Sequence, residues 1–148
     1  ILLGRPASVT AVAGNLVKTD LDAEDNAVLL MQYPNALGIA EASWTQIDKM
    51  TPYQTIIYGT QGTLLAEPEE GRLLLATEKH PEGREFDLPE TPAYLADPIA
   101  HFLNGIETDT PFQDLCQPAP CRDAQEILQA GAQSATTGAK VALPQAEN

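Results

Sequence analysis

The chain has 148 residues, 43% of them hydrophobic, which suits one domain with one core and excludes a disordered composition. Twenty-one Asp and Glu against eight Lys and Arg give a formal net charge of −13. Nucleic acid and anionic membranes would repel such a chain, because both draw affinity from neutralised phosphates. No apolar run reaches the ~18 residues of a membrane-spanning helix, and no basic-then-apolar signal sequence opens the chain. The first residue is Ile1 and not Met, so a cut or processed piece of a longer chain is expected.

Ser8 to Leu16 follows the turn Gly4-Arg5-Pro6 and is rich in small and β-branched residues, which predicts a first strand. Asn26 to Tyr33 is apolar on both parities, so both faces of this second strand should be covered. Pro34 to Gly38 supplies a turn, and Ile39 to Ile47 runs back as the return strand of a hairpin. In that third strand Glu41, Ser43 and Thr45 share one side, while Ala40, Ala42 and Trp44 share the other. Gln54 to Tyr58, Thr63 to Glu67 and Arg72 to Glu78 follow as strands, separated by glycine turns, and Glu85 to Leu88 reads as a short edge strand.

After Pro92 the pattern changes. Asp97-Pro98 is an N-cap followed by proline at the first helical position. Ile99, Phe102, Leu103 and Ile106 then recur at helical spacing as one buried face. A second helix opens near Pro120 and closes before Gly138, with Ala124, Ile127, Leu128, Gly131 and Ala135 as its buried stripe. Val141 to Leu143 is a short docked tail. Strands followed by two helices predict an α+β fold: an open-faced, mostly antiparallel sheet of about six strands with helices packed on one face.

The residues that carry chemistry elsewhere are poorly placed here. Cys116 and Cys121 with only His80 and His101 in other segments do not make up the four ligands of a structural zinc site, so no metal is expected. Two reduced thiols in a Pro-rich loop fit a cytoplasmic protein. Gly59-Thr60-Gln61-Gly62 lacks the Lys-Ser/Thr pair of a phosphate loop and runs into a strand, so it reads as a hairpin turn. No G-x-G-x-x-G occurs, and no cofactor-binding residue is assigned. His80 falls in a polar turn, and His101 at the edge of the first helix's apolar face; neither has an identifiable catalytic partner. No catalytic residue is assigned.

Leu3-Gly4-x-Pro6-x-x-Val9, Glu24-Asp25 before an apolar strand, and Gly38 before a strand ending in Ser43-Trp44 occur in order along the chain. Ile57-Tyr58-Gly59-Thr60-x-Gly62-Thr63-Leu64 follows, and then Ile127-Leu128-Gln129-Ala130, Ser134-Ala135, Thr137-Gly138 and Val141-Ala142-Leu143-Pro144. In this order they resemble the C-terminal domain of the glucose-fructose oxidoreductase / inositol dehydrogenase / rhizopine-catabolism (Gfo/Idh/MocA-type) oxidoreductases. The resemblance implies a parent enzyme in which an N-terminal Rossmann domain binds NAD or NADP and holds the catalytic Lys-Pro pair. The Asp and His that assist proton transfer lie on a linking helix, of which Ile1-Leu2-Leu3 would be the remnant. It further implies that residues 1–148 form a single domain supplying a substrate-pocket wall and a homo-oligomer interface on the sheet face.

On that resemblance the chain binds no cofactor and is not catalytic, while its parent is a dehydrogenase of a sugar, cyclitol or related polyol. The alternative is a free-standing interaction module that assembles through the open sheet. Trp44 is the one candidate substrate-binding residue, weighed against a Trp packed in a sheet core or subunit interface. Asp25 is explained by a strand-entry turn.

Overall fold

A computed structural model describes residues 2–47, 53–113 and 116–144. It contains eight strands: β1 Ser8–Gly14, β2 Asn26–Gln32, β3 Leu37–Ser43, β4 Thr55–Gly59, β5 Gly62–Glu67, β6 Arg72–Thr77, β7 His80–Glu85 and β8 Val141–Ala142. Its two α-helices are α1 Pro98–Thr108 and α2 Pro118–Thr137. All ladders are antiparallel, as the α+β expectation requires. The strands divide into two sheets of four, ordered β3-β2-β1-β8 and β4-β5-β6-β7. The chain correspondingly forms two compact units, one built from Ile1–Gln46 and Tyr94–Asn148, the other from Ile47–Ala93. Ile1, assigned above to a linking-helix remnant, lies outside the described residues.

In the first unit the alternation of strand side chains builds two unlike faces. Val9, Ala11, Leu29 and Met31 share one parity, and α2 packs on it. The core there is Val9, Ile127 and Ala130, with Leu29, Met31, Val141 and Leu143 against it. α2 lies close because its contact positions are small. A Cβ on Gly131 would come within 2.9 Å of Leu29 Cδ2. Ser134, fully buried, accepts the Ala11 N–H on its Oγ at 2.9 Å. Leaving that N–H without a partner would cost about 1–3 kcal/mol. Arg5 is ion-paired to Glu126 and Asp123, which ties the start of β1 to the same helix.

The expected stripe of α2 is rotated: Ile127 and Gly131 are buried, but Ala130 and Ser134 complete the buried set and Leu128 faces outward. Helical periodicity defines a wide arc, and the close approach to Leu29 selects its small-residue side. α1 departs further. Ile99, Phe102, Leu103 and Ile106 were expected to be buried, yet all are at least half exposed. α2 has taken the sheet face, and α1 instead buries His101 on its other side. The Asp97 cap holds as expected, its Oδ1 accepting the N–H groups of Ile99 and Ala100.

Among the described residues no helix makes an extended contact with the opposite face of the first sheet. Val28 and Leu30, expected to be covered, are exposed there together with Val12, Leu37 and Ile39. The second unit is a meander. Thr60-Gln61 closes the β4–β5 hairpin, and a Cβ on Gly62 would land on the Ala76 carbonyl of β6, so only glycine fits there. The expected edge strand at 85–88 instead occupies His80–Glu85, so His80 opens a strand and pairs with Thr77. Pro81 is tolerated because β7 is an edge.

Candidate functional site

The residues bearing most polar chemistry in the first unit gather where β1 leaves the sheet and β2 enters it. Asp25 organises them. Its Oδ1 accepts the Leu16 N–H and its Oδ2 those of Val17 and Lys18, each at 2.8 Å. Asn26 Nδ2 adds a fourth donor at 2.8 Å. These backbone donors, led by Leu16 and Lys18, and the Asn26 amide hold the carboxyl far below the usual carboxylate range. A carboxylate fixed in this way takes up no proton near neutrality, and its lone pairs are already engaged. Asp25 is thus a structural anchor and not an acid or base, and it makes more bonds than a strand-entry turn requires.

Asp25 also positions the neighbouring strand end. Its backbone carbonyl accepts the Trp44 N–H at 2.8 Å, just beyond the last pair of the β2–β3 ladder. Because Lys18 is fixed by the same carboxylate, its ammonium sits over the Trp44 ring, 5.7 Å from the centroid. Ser43 Oγ and Thr45 Oγ1 lie 2.9 Å apart, and Thr45 contacts the Asn26 amide at 3.4 Å. The result is an aromatic plate with a cation and a small hydroxyl–amide group held about one turn.

Trp44 itself is 65% exposed. Of the two packing sites expected for this tryptophan, a sheet core or a subunit interface, the sheet core of the single chain is thereby overturned. The physical reason lies in topology: β3 is the edge strand of its sheet, and the α2 contacts fall on β1 and β8. Chemically, the group offers an aromatic ring beside a cation and, on Asn26, Ser43 and Thr45, a small set of hydrogen-bonding groups.

The histidines stand apart from this cluster. His101, 6% exposed, accepts the Gln113 N–H on Nε2 at 3.0 Å and lies between the rings of Tyr94 and Phe112. It is a packing residue that pins the segment after α1. His80 Nδ1 meets Glu82 Oε1 at 3.4 Å on an exposed strand, a partner that its i, i+2 spacing on one strand face could have signalled. Two shallow clefts lie on the second unit, about 690 Å³ beside Thr60–Thr63 and about 430 Å³ beside His80, Arg84 and Asp87. Cys116 and Cys121 are free thiols. Among the described residues no three His, Cys, Asp or Glu side chains come together as metal ligands. No described helix is long and apolar enough to cross a membrane.

A dinucleotide does not fit the glycine turn. The space beside Gly62 is filled by the β6 backbone, and the turn leads into β5 and not into a helix N-terminus.

Residues 1–65 match the family model for the GFO/IDH/MocA C-terminal domain. The matched stretch covers 65 of the 148 residues, so the likeness to that family runs from β1 to the β4–β5 hairpin. Solved structures share the fold over nearly the whole chain. A protein of Thermotoga maritima classed as an oxidoreductase is 21% identical, with a TM-score of 0.74 over 95% of this chain and 41% of its own. Levoglucosan dehydrogenase in complex with NADH and levoglucosan is 20% identical, with a TM-score of 0.70 over 95% of this chain and 45% of its own. The UDP-N-acetylglucosamine 3-dehydrogenase of Acidithiobacillus ferrooxidans is 23% identical, with a TM-score of 0.63 over 90% and 41%. The chain therefore spans less than half the length of these solved structures. No curated protein matches the sequence.

Proposed function

We propose that this chain is the C-terminal domain of a longer NAD(P)-dependent oxidoreductase acting on a sugar, cyclitol or related polyol. In this reading an N-terminal Rossmann domain of the same parent binds NAD or NADP and performs the hydride chemistry. The present residues supply a wall of the substrate pocket and an oligomer interface, and no catalytic group. The observation that carries the reading is the pairing of lengths: 95% of this chain aligns with only 45% of a sugar dehydrogenase that holds NADH. The engagement of Asp25 by four donors agrees, since it removes this carboxylate from acid–base work. Trp44, with Lys18 over its ring, is the residue that would stack on a polyol. The setting would be the cytoplasm, where Cys116 and Cys121 stay reduced.

The test is calorimetric titration of the isolated chain with NAD, NADH, NADP and NADPH. No binding is expected up to millimolar cofactor, and micromolar binding of any of them would overturn the division of labour. A second reading, a free-standing assembly module, is favoured by the uncovered apolar face of the first sheet. A G-x-G-x-x-G roughly 120–200 residues upstream in the reading frame, one domain length away, decides for the oxidoreductase.

A further inference from the structure

We propose that His101 is a proton-sensitive latch: its neutral ring closes the connection between α1 and α2 against α1, and protonation opens it. His101 is buried, and its Nε2 accepts the Gln113 N–H at 3.0 Å. This bond closes a fold-back that starts at Asp109, whose left-handed backbone, with φ of 52°, turns the chain off the end of α1. The Thr110 N–H then donates to the Gly105 carbonyl at 3.2 Å. Phe112 lies on Gly105, where a Cβ would come within 2.6 Å of the ring. The same ring stacks on Phe102 at 5.5 Å between centroids and flanks the imidazole at 6.1 Å. The start of α2 hangs on this segment: Gln117 Nε2 donates to the Phe112 carbonyl at 2.9 Å, and the Cys116 N–H to that of Gln113 at 3.1 Å.

An imidazole accepts a hydrogen bond only while one ring nitrogen is bare. Acceptance at Nε2 puts the single ring proton of the neutral form on Nδ1. The imidazolium carries hydrogen on both nitrogens, so no flip of the ring restores an acceptor. A buried cation then faces a backbone donor with no lone pair between them. The surroundings do not compensate it. The titratable groups on the elements packed around the ring are the Tyr94 phenol, Asp97, Glu107 and Asp109 of α1 and its caps, and the Cys116 thiol beyond Gln113. Asp97 Oδ1 is engaged by the Ile99 and Ala100 N–H groups, and among the described residues no carboxylate pairs with His101. The conflict is relieved when the segment from Thr110 to Gln113 leaves α1, which unseats Phe112 and frees the turn into α2.

Amide hydrogen exchange of the whole chain at pH ~7.5 and ~5, the range over which histidine ordinarily changes charge, tests the latch. After correction for the intrinsic effect of pH, protection of the Gln113 amide is expected to fall about tenfold or more at the lower pH. The Ala11 amide, bonded to buried Ser134, is expected to keep its protection and so reports that the sheet stays folded. His101→Gln offers a carbonyl acceptor that does not titrate, and its Gln113 protection is expected to be equal at both values. Imidazole nitrogen shifts of the wild type read the same event directly, with Nε2 bare at pH ~7.5 and protonated at ~5. Gln113 protection that does not change with pH, that falls only in step with Ala11, or that falls as far in His101→Gln overturns the latch. A proton on Nε2 at pH ~7.5 overturns it even where the variant does not fold.

Discussion

The two faces of the first sheet are made by alternate residues of the same three strands, yet they have opposite fates. On one, Val9, Ala11, Leu29 and Met31 meet α2, and Gly131 and Ser134 let the helix come close enough to bury Val9 and Ala130 completely. On the other, Val12, Val28, Leu30 and Ile39 are as apolar and remain exposed. Hydrophobicity alone does not separate the faces. What separates them is the supply of a partner with small residues at the contact, which only α2 provides. The same contrast holds between the helices. α1 has the more regular apolar stripe but leaves it exposed, whereas α2, poorer in large apolar residues, covers the sheet.

The sharpest way to break this comparison is to truncate one residue from each face. Ile127→Ala, in the core under α2, should lower the unfolding free energy by about 2–5 kcal/mol. Val12→Ala, exposed on the other face, should change it by less than ~0.5 kcal/mol. Urea denaturation of both variants as dilute monomers measures the difference, and equal losses would show that the open face is covered within the single chain.

A second test concerns the anchor between β1 and β2. Asp25 has its carboxyl depressed by the Leu16, Lys18 and Val17 amides and by Asn26. As pH falls below ~4, the unfolded chain takes up this proton before the folded one, so protonation favours unfolding. The stability that Asp25 contributes is thus complete above that range and is lost as pH falls towards the depressed folded-state value. In thermal melts the wild type should exceed Asp25→Asn at pH 7, and the gap should narrow steadily below pH ~4. A gap that stays constant down to pH ~2.5 would contradict the anchor.

The smallest effect is expected at the exposed strand end. Trp44→Ala should cost under ~1 kcal/mol in the isolated chain, far from the ~3–5 kcal/mol of an emptied aromatic core site. A loss in the larger range would mean that Trp44 is packed and that the Lys18 contact is incidental.

Local chemistry was legible in the amino-acid sequence. The Asp97-Pro98 start of α1, the Gly138 end of α2, the strand order and the glycine hairpin all follow from capping and turn preferences, which depend on neighbours in the chain. The ordered motifs from Leu3 to Leu64 lie within the stretch that matches the family model. Partner choice was not legible. Helical periodicity defined the stripe Ile99, Phe102, Leu103 and Ile106 without saying that α2 would occupy the sheet instead. The size of Trp44 argued for burial without saying that it sits past the end of an edge strand. Three consecutive backbone amides converge on Asp25 only once the 15–18 loop folds back over it. Periodicity along a chain fixes which residues share a face; which face finds a cover depends on contacts between segments more than 100 residues apart, such as Ala11 with Ser134, and these exist only in the folded protein.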